Sequence, residues 1–255
     1  MAKPQLIKTN ETAGRTNGVD YTIQGELLPS LTLNLDGSRE VFFEHHIILW
    51  KDASMEVGIR KLKGAFKRVF AGMPIFLTEA RSQGSIGLSR DYPGHILAVH
   101  IQPGEQIFVR EHQYLAATGN VDYTFQRAGG VSSMLFGSQG FFIDRFSADN
   151  EEAVVWIHGN GNLFEVELAT GETIDLEPGS WVYYSGSVSY SQKVYGLKTG
   201  ILGGGGNIVF NRFVGPGKVV LQSGYYEIFG TGASSGTAKG GLSGGLIGGA
   251  LDLLS

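Results

Sequence analysis

The chain has no cysteine among its 255 residues. That excludes disulfides and thiolate metal sites together and permits a reducing compartment. No apolar run approaches the ~18 residues that a membrane-spanning helix needs. Charge is scarce as well: Asp, Glu, Lys and Arg make up 17% of the sequence, against roughly 25% in an average soluble domain. The balance of −4 at pH 7 offers no broad basic surface, and it argues against nucleic acid as a partner. The opening residues Met1-Ala2-Lys3-Pro4-Gln5-Leu6-Ile7-Lys8 lack the apolar core of a secretory signal, so a cytoplasmic location is expected. In excess is glycine, 39 residues, about twice the usual share. With 42% hydrophobic residues, the composition is that of a turn-rich β protein with material for a core.

The stretch Leu97–Tyr123 alternates apolar and polar residues on both sides of Pro103-Gly104-Glu105. Alternation marks half-buried strands and Pro-Gly marks the turn between them. The pattern occurs three times. At an offset of 66, Ile101, Ile107, Val109, Leu115 and Val121 fall on Leu35, Val41, Phe43, Leu49 and Met55. At an offset of 67 in the other direction they fall on Leu168, Ile174, Leu176, Val182 and Val188. The expected fold is therefore all-β, with three tandem β-sandwich repeats of about 67 residues packed with pseudo-threefold symmetry. A unit that small buries too little surface to stand alone, so the three should share a core. The units are expected at 28–92, 93–161 and 162–223, within a single body spanning 19–223. Residues 1–18 read as a loose leader and 224–255 as a Gly-rich tail with an apolar end. Open strand edges in such a body favour a homo-oligomer.

A search for chemistry returns little. Two Gly-x-Ser-x-Gly matches, centred on Ser234 and Ser243, lie in the Gly-rich tail without the strand-to-helix turn that activates a nucleophile. His45 and His46 are adjacent, so on a strand they face opposite ways and cannot form a His-x-His metal pair. His46 and His112 are equivalent in the repeat, but the third unit has Gly179 there, which excludes a symmetric three-His site. Glu165 and Glu167 alternate with Phe164, Val166 and Leu168, the pattern of a solvated strand face. Gly203–Gly206 precede a strand rather than a helix, so they read as a turn and not a phosphate cradle. No catalytic, cofactor-binding or metal-binding residues are assigned, and no cofactor is expected.

Two segments carry binding readings. Arg60, Lys61, Lys63, Lys67 and Arg68 place five cations in nine residues, a candidate contact for a polyanion or anionic lipid. A solvated connector is the competing reading. In the tail, Leu246, Ile247, Leu251, Leu253 and Leu254 give an otherwise flexible linker an apolar end that could dock on a neighbouring subunit, a partner or a membrane surface, with packing onto its own body as the competing reading. The function expected is that of a non-enzymatic scaffold or binding protein, with a protein partner or self-association and possible peripheral membrane contact. A sugar- or metabolite-binding protein, or a cryptic enzyme, with a pocket between repeats is the alternative.

Certain phrases resemble the altered-inheritance-of-mitochondria protein 24 family. They are Leu-Glu-Pro-Gly-Ser-Trp-Val at 176–182, Gly-Gly-Gly-Asn-Ile-Val-Phe at 204–210 and Phe-Val-Gly-Pro-Gly-Lys-Val-Val-Leu-Gln-Ser at 213–223. Ala-Gly-Met-Pro-Ile-Phe-Leu-Thr-Glu at 71–79 fits the same outline. The resemblance covers 19–223. It implies three tandem units, each similar to the subunit of the tryptophan RNA-binding attenuation protein, and it brings no catalytic residues. Mitochondrial relatives are tied to inner-membrane organisation, but this sequence shows no presequence. A fold shared with an RNA-binding ring is no evidence of RNA binding.

Overall fold

Strands that alternate apolar and polar residues bury one face, and they find cover by stacking sheet on sheet. The computed structural model describes residues 2–8, 11–44, 46–60, 77–128, 142–197 and 206–224. Among them every regular element is a β-strand, so the fold is all-β.

Three strands lead: β1 (Gln5–Leu6), β2 (Ala13–Thr16) and β3 (Val19–Gln24). A first set of six follows: β4 (Ser30–Leu35), β5 (Val41–Phe43), β6 (Ile48–Lys51), β7 (Val57–Arg60), β8 (Leu77–Ala80) and β9 (Gly84–Ser89). The second set is β10 (Gly94–Ile101), β11 (Gln106–Arg110), β12 (Tyr114–Thr118), β13 (Asp122–Arg127), β14 (Phe142–Ser147) and β15 (Ala153–Asn160). The third is β16 (Leu163–Leu168), β17 (Thr173–Leu176), β18 (Trp181–Ser185), β19 (Ser189–Leu197), β20 (Gly206–Val214) and β21 (Gly217–Gln222).

One pairing scheme occurs in all three sets. The sixth strand lies between the first and the third, and the fifth lies between the second and the fourth, all antiparallel. In each set the third strand slips its register on the sixth at the same point: Ile48/Trp50, Tyr114/Ala116 and Trp181/Tyr183. Such a bulge bends and twists the strand. His46 and His112 both carry φ of 66° in the turn before that strand, a conformation uncommon outside glycine. Gly179, at the corresponding point of the third set, is not among the glycines with positive φ, so its turn takes another path.

Successive sets are fused through edges. The second strand of one set pairs with the third strand of the next, as β5·β12 and β11·β18. These junctions build a six-stranded sheet, β10-β15-β12-β5-β8-β7, and a seven-stranded sheet, β1-β16-β21-β18-β11-β14-β13. The outer halves stay separate, as β2-β3-β4-β9-β6 and β17-β20-β19. A closed three-unit ring would need a third junction, β17 on β6, and that pairing is not made among the described residues.

Three cores hold the four sheets together. Tyr21, Leu33, Phe43, Leu115 and Trp156 fill the space between the five- and six-stranded sheets. Phe42, Ile107, Tyr114, Phe146 and Val182 lie between the six- and seven-stranded sheets. Val166, Trp181, Tyr184 and Phe213 lie between the seven- and three-stranded sheets. The middle sheets are thus covered on both faces, which is why Val41-Phe42-Phe43 is continuously apolar: Phe42 enters one core and its two neighbours enter another. Burial of each such side chain contributes about 1.5–3 kcal/mol.

The expectation of a loose leader over residues 1–18 needs correction. β1 pairs with β16 and β2 pairs with β3, so the leader extends two sheets. The cause is physical: both partners would otherwise present an unpaired edge.

Candidate functional site: an acidic cleft beside an open strand

β10 ends the six-stranded sheet. Its inner side pairs with β15 along its whole length, while the Gly94 amide donates outward to the Leu27 carbonyl at 3.0 Å. Backbone groups alternate sides along a strand, so the amides of Ile96, Ala98 and His100 point outward too. Among the described residues no strand pairs with that side.

A cleft of about 860 Å³ opens there, between the second and third sets. Leu97, Ala98, Val99 and His100 form one wall, and the turn Gly104–Ile107 closes one end. The opposite wall is Glu165 and Glu167 of β16 with Tyr183 and Ser185 of β18. Strand alternation explains the carboxylates: Val166 and Leu168 enter a core, so Glu165 and Glu167 must face the other way. Ile7 and Glu11, beside β1 and β2, complete the rim.

The cleft is acidic. Glu11, Glu105, Glu165 and Glu167 line it, against the single lysine Lys218 and the imidazole of His100. Lys218 Nζ sits 2.9 Å from Glu165 Oε2 and leaves Glu167 uncompensated by it. Burial, and then the charges of Glu165 and Glu167, raise the Tyr183 phenol above its ordinary value, so it stays a neutral donor. His100 is held between two carboxylates, Nδ1 at 2.5 Å from Glu152 Oε1 and Nε2 at 3.2 Å from Glu11 Oε2. With unpaired backbone amides on one side and carboxylates on the other, the cleft can hydrogen-bond an extended chain and attract a cation. Among the described residues, no three His, Asp or Glu side chains gather as a metal set.

Arg60, expected as part of a basic surface patch, turns inward. Its guanidinium carbon lies 4.1 Å from the Phe42 ring centroid, Nη2 donates to the Gly119 carbonyl at 3.1 Å and Nη1 is 3.9 Å from the buried Glu79. Burial pulls its pKa down. Lys61, Lys63, Lys67 and Arg68 lie outside the described residues, as do His45, Gly203–Gly205, Ser234, Ser243 and the tail residues Leu246, Ile247, Leu251, Leu253 and Leu254. Of the aromatics in the third set, Trp181, Tyr184, Tyr190 and Phe213 pack on one another in a core, and only Tyr183 reaches the cleft. The cleft itself has no motif in the sequence. Its one signal is the pair Glu165 and Glu167, which reads as a solvated face until the strand opposite is known.

Residues 21–224 match the model of the family described as Mitochondrial biogenesis AIM24. The chain belongs to this family. A similar protein is an uncharacterized protein of Streptococcus pyogenes serotype M6, 25% identical over 240 residues, which span 86% of this chain and 92% of that one. A crystal structure of a Streptococcus pyogenes protein superposes with a TM-score of 0.62 at 22% identity, covering 81% of this chain and 94% of that one. It shows that the AIM24-family chain shares its fold.

Proposed function

We propose that this protein is a non-enzymatic cytoplasmic scaffold that holds a protein partner by an extended, lysine- or arginine-rich segment laid along β10. The observation that carries the reading is the unpaired edge of β10 facing a cleft lined by four carboxylates. An extended peptide adds main-chain hydrogen bonds to an open edge, and alternate side chains enter the pockets beside it. Here those pockets are acidic, which selects cations and turns away polyanions, nucleic acid included.

Calorimetric titration with extended basic peptides tests this. Binding should weaken as salt rises, because surface charges are screened, and it should fall by about tenfold in Glu165→Gln/Glu167→Gln, equivalent to roughly 1.4 kcal/mol. Peptides with proline at alternate positions should bind less well, since proline cannot complete the ladder. Failure of all basic peptides to bind would overturn the reading. A second reading rests on the cleft's volume, which falls within the roughly 300–1,000 Å³ of small-molecule sites. A sugar or metabolite occupying it would raise the melting temperature by several degrees in a ligand screen. Peripheral membrane contact through Lys61, Lys63, Lys67 and Arg68 would add to the scaffold reading, and vesicle co-sedimentation of a variant with all four changed to Ala measures it.

A further inference from the structure

The two junctions between sets share one register. Phe43 stands opposite Ala116 and Phe42 opposite Ala117 in the first. Val109 stands opposite Tyr183 and Phe108 opposite Tyr184 in the second. Phe43 and Val109 are 66 residues apart, and Ala116 and Tyr183 are 67 apart, the offsets that relate the sets. Each junction uses the second strand of one set and the third strand of the next. The first set therefore keeps a spare third strand, β6, and the last set a spare second strand, β17, and each ends its sheet.

β6 displays what the junctions cover elsewhere. Leu49 is 60% exposed, whereas its equivalents Leu115 and Val182 are fully buried. Trp50 is 46% exposed, against 0% for Ala116 and 8% for Tyr183. Trp50 does not swing freely: its ring lies on Gly87 of β9, where any side chain would collide with it. An edge strand with three consecutive exposed apolar residues invites pairing. Lys51, beside them, would deter an arbitrary strand.

We propose that β17 of one copy pairs with β6 of a second copy in the register of the internal junctions. That register sets Leu176 opposite Trp50, Asp175 opposite Lys51 and Ile174 opposite Asp52. The lysine that guards β6 then stands beside Asp175, whose carboxylate already accepts from the Arg212 guanidinium at 2.6 Å and from the Tyr195 hydroxyl, so Lys51 joins an existing ion pair. Trp50 would join the core already containing Leu176, just as Ala116 joins that of Phe43 and Tyr183 that of Val109. The two edges differ, so the contact is head-to-tail and builds a ring or an open chain of copies.

Light scattering across a micromolar concentration series should give masses rising above the 27.4 kDa of one chain. Leu49→Glu, at an exposed position, should keep the melting temperature and weaken association at least about tenfold. The absence of native cysteine allows a second measurement. A mixture of Trp50→Cys and Leu176→Cys chains should cross-link to a dimer through a short thiol linker, while neither variant alone should. A constant monomer mass overturns the proposal. So does cross-linking of Trp50→Cys to itself, which would mean a face-to-face contact. So does purely internal cross-linking in a chain carrying both substitutions, which would mean that one chain closes on itself.

Discussion

His158 provides a test of the buried architecture through pH. It lies on β15, 2% exposed, with its own amide bonded to the Gln113 carbonyl at 2.8 Å. Its imidazole loses solvent, faces the Arg90 guanidinium and has His95 nearby; only a hydrogen bond to the Tyr92 backbone works the other way. Burial is the largest cause, and together these push its pKa from the ordinary 6.5 down to about 4. Nε2 is buried without a hydrogen-bond partner, as suits a neutral ring.

A depressed histidine pKa means that the unfolded chain binds the proton more readily than the fold does. Stability is therefore full above pH 6.5, falls as pH drops from 6.5 towards 4, and levels off below, where both states are protonated. At about 1.4 kcal/mol per pH unit separating the two states, the loss across that window is roughly 3 kcal/mol. His158→Asn keeps a donor for the Tyr92 carbonyl and cannot titrate. The variant should be less stable at pH 7.5, because the smaller side chain leaves a gap, yet its unfolding free energy should change less between pH 6.5 and 4. Every other side chain is common to the two proteins, so its contribution cancels in the difference. Urea denaturation at a series of pH values measures it. Parallel profiles for the two proteins would refute the reasoning and place a charged or solvated imidazole at position 158.

Two further outcomes follow from the same contacts. Arg60→Ala should destabilise the fold by about 2 kcal/mol, because it strips the cation from the Phe42 ring and the hydrogen bond from the Gly119 carbonyl while Arg81 still pairs with the buried Glu79; a change in vesicle binding with unaltered stability would show the opposite role. Truncation after Gly230 should leave the melting temperature unchanged, since every core member among the described residues lies at or before Leu221; a large loss would put Leu251–Leu254 in the monomer's own core.

Much of the strand plan is legible in the sequence because alternation is a one-dimensional signal. Ile101, Val109 and Val121 are buried where period two demands, and the Pro103-Gly104 turn joins β10 to β11. The leader is less legible. Gln5-Leu6 and Ala13–Thr16 have no alternation of their own and become strands because β16 and β3 offer edges. The cleft is the least legible part. His100 meets Glu152 and Glu11 from 52 and 89 positions away, a pairing that no local pattern carries. Arg60 reads as surface charge by composition, but its long apolar stem suits a ring face, and Phe42 supplies one 4.1 Å away.

The departures from alternation carry information of their own. A strand covered on both faces has no polar side to keep, so it reads as an unbroken apolar run. Tyr114–Ala117 and Trp181–Tyr184 are such runs, and both are buried throughout. Ile48-Leu49-Trp50 has the same character at the same place in its set, yet it stands at 39%, 60% and 46% exposure. Neither β4, whose exposed position is Asn34, nor β16, with Glu167, shows an exposed apolar run of that kind. The composition of β6 is thus that of a strand inside a junction, while its position is that of a free edge. A second copy presenting β17 reconciles the two: it covers Leu49, seats Trp50 in a core and sets Lys51 beside the Asp175–Arg212 pair.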